Sequence, residues 1–230
     1  MTMQPTVLTE ATDPDVLSPK AGARILAAAP WRRFGVFGDS LSLGVGDATP
    51  GYDPLGWPAR VERALRRVHP DLAHINTARV GVTTAQALQE QAERIDEFGP
   101  DLLHLNSGAN DIMRRKPDWE RIEDDLRAMY AWAARTGAQL SVFTLGRAFV
   151  VPAFPDFSDR VARLNDVTRR LAAEYGAAVG DCWAHPLNDR PNLLSEDRIH
   201  FAATGQAIIA SVMIEALGAR LRESGREVSR

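Results

Sequence analysis

The chain has 230 residues, 45% hydrophobic and 25% charged, the balance of an ordinary folded domain rather than a disordered or fibrous chain. A net charge of −3 argues against the broad basic field of a nucleic-acid-binding protein, and the Arg32-Arg33, Arg66-Arg67 and Arg114-Arg115 pairs read as solvated surface. The single cysteine, Cys182, excludes an intramolecular disulfide and gives no sign of an oxidising compartment.

In chain order, the opening MTMQPTVLTEATDPDVL is acidic and lacks a long apolar run, so it does not read as a secretory signal. No segment has the apolar length of a membrane span, and a cytoplasmic protein is expected. Residues 1–16 read as a polar lead-in, and PKAGARILAAA (19–29) as a helix closed by Pro30. The expected division is an N-terminal extension over 1–30, a single domain over 31–222 and a polar tail over 223–230.

Within the domain, short apolar runs at 33–37, 73–77, 102–106, 139–145 and 177–180 predict strands. Apolar residues three and four apart predict helices near 57–68, 83–97, 118–136, 158–175 and 204–222, the second stopped by Gly99-Pro100. Strands alternating with helices imply an α/β fold with a mostly parallel sheet covered on both faces. Right-handed crossovers then gather the functional loops at the carboxyl ends of the strands. Three polar clusters, GDS (38–40), RVG (79–81) and SGAND (107–111), follow the first three strands, and DRIH (197–200) precedes the last helix. All four are expected to converge on one crevice.

Ser40, in FGDSLSLGVGD, follows the first strand. Such a serine is ordinarily a helix N-cap, but a neighbouring base oriented by a carboxylate makes it a nucleophile. Among the five histidines, His69 lies by Pro70 at a helix end, His74 and His104 fall within strands, and His185 is in a loop. His200 differs, because Asp197 stands three positions before it and can fix the tautomer that accepts a serine proton. An acyl-transfer site also needs preorganised oxyanion donors. Asn110 offers a side-chain amide, on a turn permitted by Gly108 and braced by Asp111, and Gly81 offers an unshielded backbone N–H. Each is equally at home as an ordinary turn residue.

Taken together, FGDSLS, RVG, GAND and DRIH, in this order, resemble blocks I, II, III and V of the SGNH (GDSL) hydrolases, over roughly residues 33–215. The resemblance implies a three-layer α/β/α sandwich with a mostly parallel five-stranded, flavodoxin-like sheet. It implies that Ser40 is the nucleophile, that His200 and Asp197 complete a triad, and that Ser40, Gly81 and Asn110 form the oxyanion hole. Asp39 then supports the turn rather than the chemistry. Val80 departs from the small polar residue that many members carry before the block II glycine. The implied substrate is a small-molecule acyl ester, with neither metal nor organic cofactor required.

Other readings find less support. GVGDAT lacks the third glycine of a dinucleotide fingerprint and no G-K-[ST] occurs. The G-x-S-x-G elbow is absent, as is H-E-x-x-H, and nothing in sequence activates Cys182. A ligand-binding module holding a flavin at the sheet's switch point, or an acyltransferase using the same acyl-enzyme, remain the alternatives. The aromatic loop 146–159 is a candidate wall of an acyl pocket, through Phe149, Phe154 or Phe157, and 47–58 a second wall. Oligomeric state is not legible.

Overall fold

The computed structural model describes residues 8–228, with side chains to 225; residues 1–7 of the expected lead-in and 229–230 of the expected tail lie outside the described residues. Five strands, β1 (Arg33–Gly38), β2 (Ala73–Asn76), β3 (Leu102–Asn106), β4 (Gln139–Phe143) and β5 (Ala178–Gly180), pair in the order β2-β1-β3-β4-β5, every pair parallel. All five residues of β3 and the last five of β1 are buried, as expected of parallel strands covered on both faces, which read as continuous apolar runs.

Helices α1 (Pro19–Ile25), α3 (Trp57–Arg66) and α8 (Ala203–Val228) pack together on one face, and α4 (Thr84–Phe98), α6 (Trp119–Ala134) and α7 (Phe157–Glu174) on the other. This is the three-layer α/β/α sandwich. Local chemistry fixes several ends. Thr83 and Gln86 form a reciprocal capping box at the start of α4, and Gly99 closes it in the left-handed conformation at φ 59°. The order 2-1-3-4-5 reverses direction at β1/β3, so their carboxyl ends diverge into the crevice where doubly wound sheets bind ligands.

The structure differs from the sequence expectation at short polar segments. Two single-turn helices, α2 (Ser40–Leu43) and α5 (Ala109–Ile112), follow β1 and β3; four residues carry too little periodicity to be recognised. A 3-10 turn at Pro186–Asp189 was likewise invisible. α1 stops at Ile25 rather than Ala29. The expected polar tail is corrected: α8 runs to Val228, with no proline to stop it and Ser224 Oγ donating back to the Arg220 carbonyl.

The lead-in is built onto the body. Asp13 accepts from Tyr52 Oη at 2.6 Å and pairs with Arg190, while Leu17 N donates to Ser211 Oγ at 2.8 Å. Under α3, Trp57, His104, Phe143 and Phe201 stack edge and face through the core. Burial of His104 pushes its pKa down to about 3, so it stays neutral. Among the described residues no helix is long and apolar enough to cross a membrane.

Candidate active site

The nucleophile candidate is placed by the end of β1. Gly38 has φ 138°, and a Cβ there would collide with the Asn106 carbonyl oxygen of β3, so only glycine fits. From α4, the buried Gln91 side chain accepts from Gly38 N at 3.0 Å and donates to Gly38 O at 2.8 Å. Asp39 then caps α2, its Oδ1 accepting from Leu41 N at 2.9 Å. Ser40 is the first residue of that turn, where backbone N–H groups lack helical partners. Its side chain is almost wholly enclosed.

The candidate base arrives from the other end of the chain. His200 Nε2 lies 2.8 Å from Ser40 Oγ, and His200 Nδ1 lies 2.6 Å from Asp197 Oδ2. The other carboxylate oxygen, Oδ1, accepts from Ile199 N at 2.8 Å and His200 N at 3.0 Å. Burial pushes the Asp197 carboxyl up, but its bonds to His200 and the two backbone N–H groups outweigh this and hold its pKa below the usual carboxylate range. It is therefore ionised where a histidine base operates. Between them Arg198 adopts φ 57°, the left-handed geometry that a non-glycine residue accepts only when its surroundings impose it.

Residues that sequence reasoning passed over hold this loop. Ser195 N donates to the His200 carbonyl at 2.8 Å and Leu194 bridges to Phe201. Asp47 N donates to Ser195 Oγ at 2.8 Å, and Asp47 Oδ2 accepts from Glu196 N at 2.9 Å. The glycine pair of GVGD has a structural use here. A Cβ on Gly46 would strike the Phe201 carbonyl oxygen, and one on Gly44, at φ 83°, would lie 2.8 Å from Gly56 Cα.

Asn110 sits in α5, beyond Gly108, whose φ is 105° and whose Cβ would meet Leu164 Cδ1 at 2.7 Å. Asn110 Nδ2 donates to the Val82 carbonyl at 2.9 Å; an amide nitrogen has two hydrogens, which leaves a second for another acceptor. That bond draws the 79–82 loop toward Asn110, and Arg79 N donates to Gly38 O at 3.1 Å. Gly81 stands in this loop at φ 79° with open space about it. Asp111 braces the same wall, accepting from Thr84 N at 3.0 Å and Thr84 Oγ1 at 3.1 Å.

Two carboxyls are thus buried beneath the site. Burial pushes Asp111 above the usual carboxylate range against the pull of its Thr84 bonds. Asp39 is pushed up to about 7, first by burial and further by the negative charge of Asp111, with the Leu41 N–H opposing. Its Oδ2 is enclosed without a partner.

The sequence profile of the GDSL-like lipase/acylhydrolase family matches residues 36–208, a span that contains Ser40, Gly81, Asn110, Asp197 and His200. The chain belongs to this family. It is therefore a carboxylic ester hydrolase. An arylesterase of Vibrio mimicus is 26% identical over 185 residues, covering 79% of this chain and 86% of the relative. Among solved structures, the psychrotrophic esterase EstA from Pseudoalteromonas sp. superposes with a TM-score of 0.65 at 18% identity, over 83% of this chain and 99% of that one. The lipase/acylhydrolase from Enterococcus faecalis gives 0.64 at 20% identity, over 82% and 96%. At these identities the two structures speak for the fold alone.

In this GDSL-family hydrolase an apolar crevice opens at Ser40 and Asn110. Leu41, Ala109, Met113, Leu145, Phe149, Phe157 and Ile199 line the rest of it. Loop 146–159 thus contributes Phe149 and Phe157, while Phe154 lies under the Arg160 guanidinium instead. Residues of the 44–58 loop line a separate crevice with Ala203 and Gln206. A larger polar crevice of about 640 Å³, walled by residues such as Arg190, Glu196 and Arg198, lies beside the histidine loop. Neither Ser40, Asn110 nor His200 lines it, so size alone does not locate the chemistry.

Proposed function

We propose that the hydrolase works as a serine esterase through a Ser40–His200–Asp197 triad and an acyl-enzyme, on a small-molecule acyl ester. The observation that carries this reading is the unbroken hydrogen-bonded line Asp197 Oδ2, His200, Ser40 Oγ, with spans of 2.6 and 2.8 Å, within the reach a base needs. His200 Nε2 takes the Ser40 proton as Oγ bonds to the ester carbonyl carbon. Asp197, ionised, holds the ring's Nδ1–H and stabilises the imidazolium.

The carbonyl oxygen, now negative, is met by the Ser40 and Gly81 N–H groups and the second hydrogen of Asn110 Nδ2. As the tetrahedral adduct collapses, the bond to the alcohol oxygen breaks and His200 returns the proton to it. Water then repeats the sequence on the Ser40 ester, giving the carboxylic acid and free enzyme. The arylesterase relative makes aryl esters the natural first substrates. The test is turnover of p-nitrophenyl esters by wild type and Ser40→Ala, with a fluorophosphonate as covalent label. Loss of both turnover and labelling in the variant is expected; a fully active Ser40→Ala would sink the assignment.

A further inference from the structure

We infer that the crevice at Ser40 accepts an acetyl-sized acyl group, with Phe149, Phe157 and Met113 setting the limit. The inference rests on the proposed serine mechanism and adds to it the substrate class, acetate esters.

Apart from Ser40 and Asn110, every side chain facing the crevice is apolar, which suits the hydrocarbon part of an acyl group. The space between its walls is about 300 Å³ including the part open to solvent, but a water-sized sphere fits within only about 10 Å³ of it, the room of roughly one water or one methyl group. An acetyl group extends one methyl beyond its carbonyl; each further methylene must press on a wall or turn out toward solvent.

The walls are fixed from behind. Phe149 is 4% exposed, and its ring stands edge-on to Phe201 at 5.2 Å, the residue next to the histidine base. Phe157 is 3% exposed at the first turn of α7. The Leu145 backbone is clamped on both sides by Asn165, at 2.9 and 2.8 Å. A packed interior resists added volume rather than deforming freely. Met113 differs from the phenylalanines: it is only partly buried and closes the crevice from α5.

The test compares kcat/KM for p-nitrophenyl acetate, butyrate and hexanoate, and for phenyl and ethyl acetate, in wild type, Met113→Ala, Phe149→Leu and Ser40→Ala. Wild type is expected to prefer acetate over hexanoate by about 100-fold or more. Met113→Ala, at the rim and costing little packing, and Phe149→Leu, which retains an apolar contact with Phe201, are each expected to raise butyrate relative to acetate by about tenfold. Hexanoate turned over as well as acetate by wild type, with Ser40→Ala inactive, overturns the size limit and leaves the serine mechanism standing. An acyl preference unmoved by both widening variants overturns the assignment of these walls. Activity in Ser40→Ala overturns mechanism and inference together. Ser40 labelled by a fluorophosphonate while no acetate ester is turned over removes the acetate assignment alone.

Discussion

The two halves of the proposed catalytic line are built by different means. Ser40 stands at the end of a buried strand, where Gly38 is pressed against β3 and gripped through both its backbone groups by Gln91. Asp197 and His200 stand in an irregular loop, the carboxylate side chain 46% exposed, and are held by Asp47 and Ser195 rather than by sheet or helix. The position of the proposed nucleophile is thus a by-product of folding the sheet. The proposed base is carried by a loop held through side chains, which is expected to loosen before the core does. Stability and activity are expected to fall together on the strand side and to separate on the loop side.

The largest effect belongs to the point where the halves meet. Ser40→Ala is expected to remove ester turnover by a factor of about 10⁴ to 10⁶, with the melting temperature almost unchanged. On the loop side, Asp197→Ala is expected to lower kcat by about 10³-fold or more, since the imidazole loses both its orienting partner and its stabilising charge. Its melting temperature is expected to shift by no more than a few degrees, because an exposed side chain carries little of the fold. A large loss of stability in this variant would break the comparison.

The strand side gives the opposite signature. Gln91→Leu leaves the Gly38 N–H unpaired in the interior and its carbonyl with the Arg79 N–H alone, at a cost of about 1 to 3 kcal/mol. Chemical denaturation is expected to show that loss, with activity falling in proportion to the folded fraction. A smaller effect sharpens the picture through pH. The pKa of Asp39 is raised from 3.8 to about 7, so the folded protein holds a proton there that the unfolded chain has released. Stability drawn from this group is full below the unfolded value and is lost as pH rises toward about 7. Asp39→Asn, which keeps a good capping side chain, is expected to flatten that decline, melting closer to wild type at pH 5 and above it at pH 8. Thermal melts at the two pH values check it.

Much of this was legible in the chain because several levels agreed. The strands read clearly since β1 and β3 are covered on both faces, and the four polar clusters fall where parallel topology gathers loops. Ser40, Asn110, Asp197 and His200 were readable because each belongs to a short motif with a chemical reason. The supporting residues were not. Gln91 and Asn165 lie on helices at positions that a polar residue ordinarily gives to water, so their inward aim depends on which backbone they meet. Asp47 and Ser195 act across a sequence separation of 148 residues, which no local pattern announces. The glycines of GVGD are needed where the chain runs against Phe201 and Gly56, partners that lie far away in sequence or across a loop. The end of α8 was misplaced because its last turns carry charge without a stop signal.

The tie between Asp13 and Arg190 has a consequence in time. It joins residues 177 positions apart, and it is made next to the segment that leads into the histidine loop. Contacts of such separation carry a larger loop-closure cost than local ones and are expected to form after local helices and neighbouring strands have condensed. The sheet with its serine is therefore expected to form before the far end of the chain brings His200 to it. On refolding from denaturant, recovery of esterase turnover is expected to trail recovery of helical signal, and Asp13→Ala to widen that lag: competence is the last property this chain acquires.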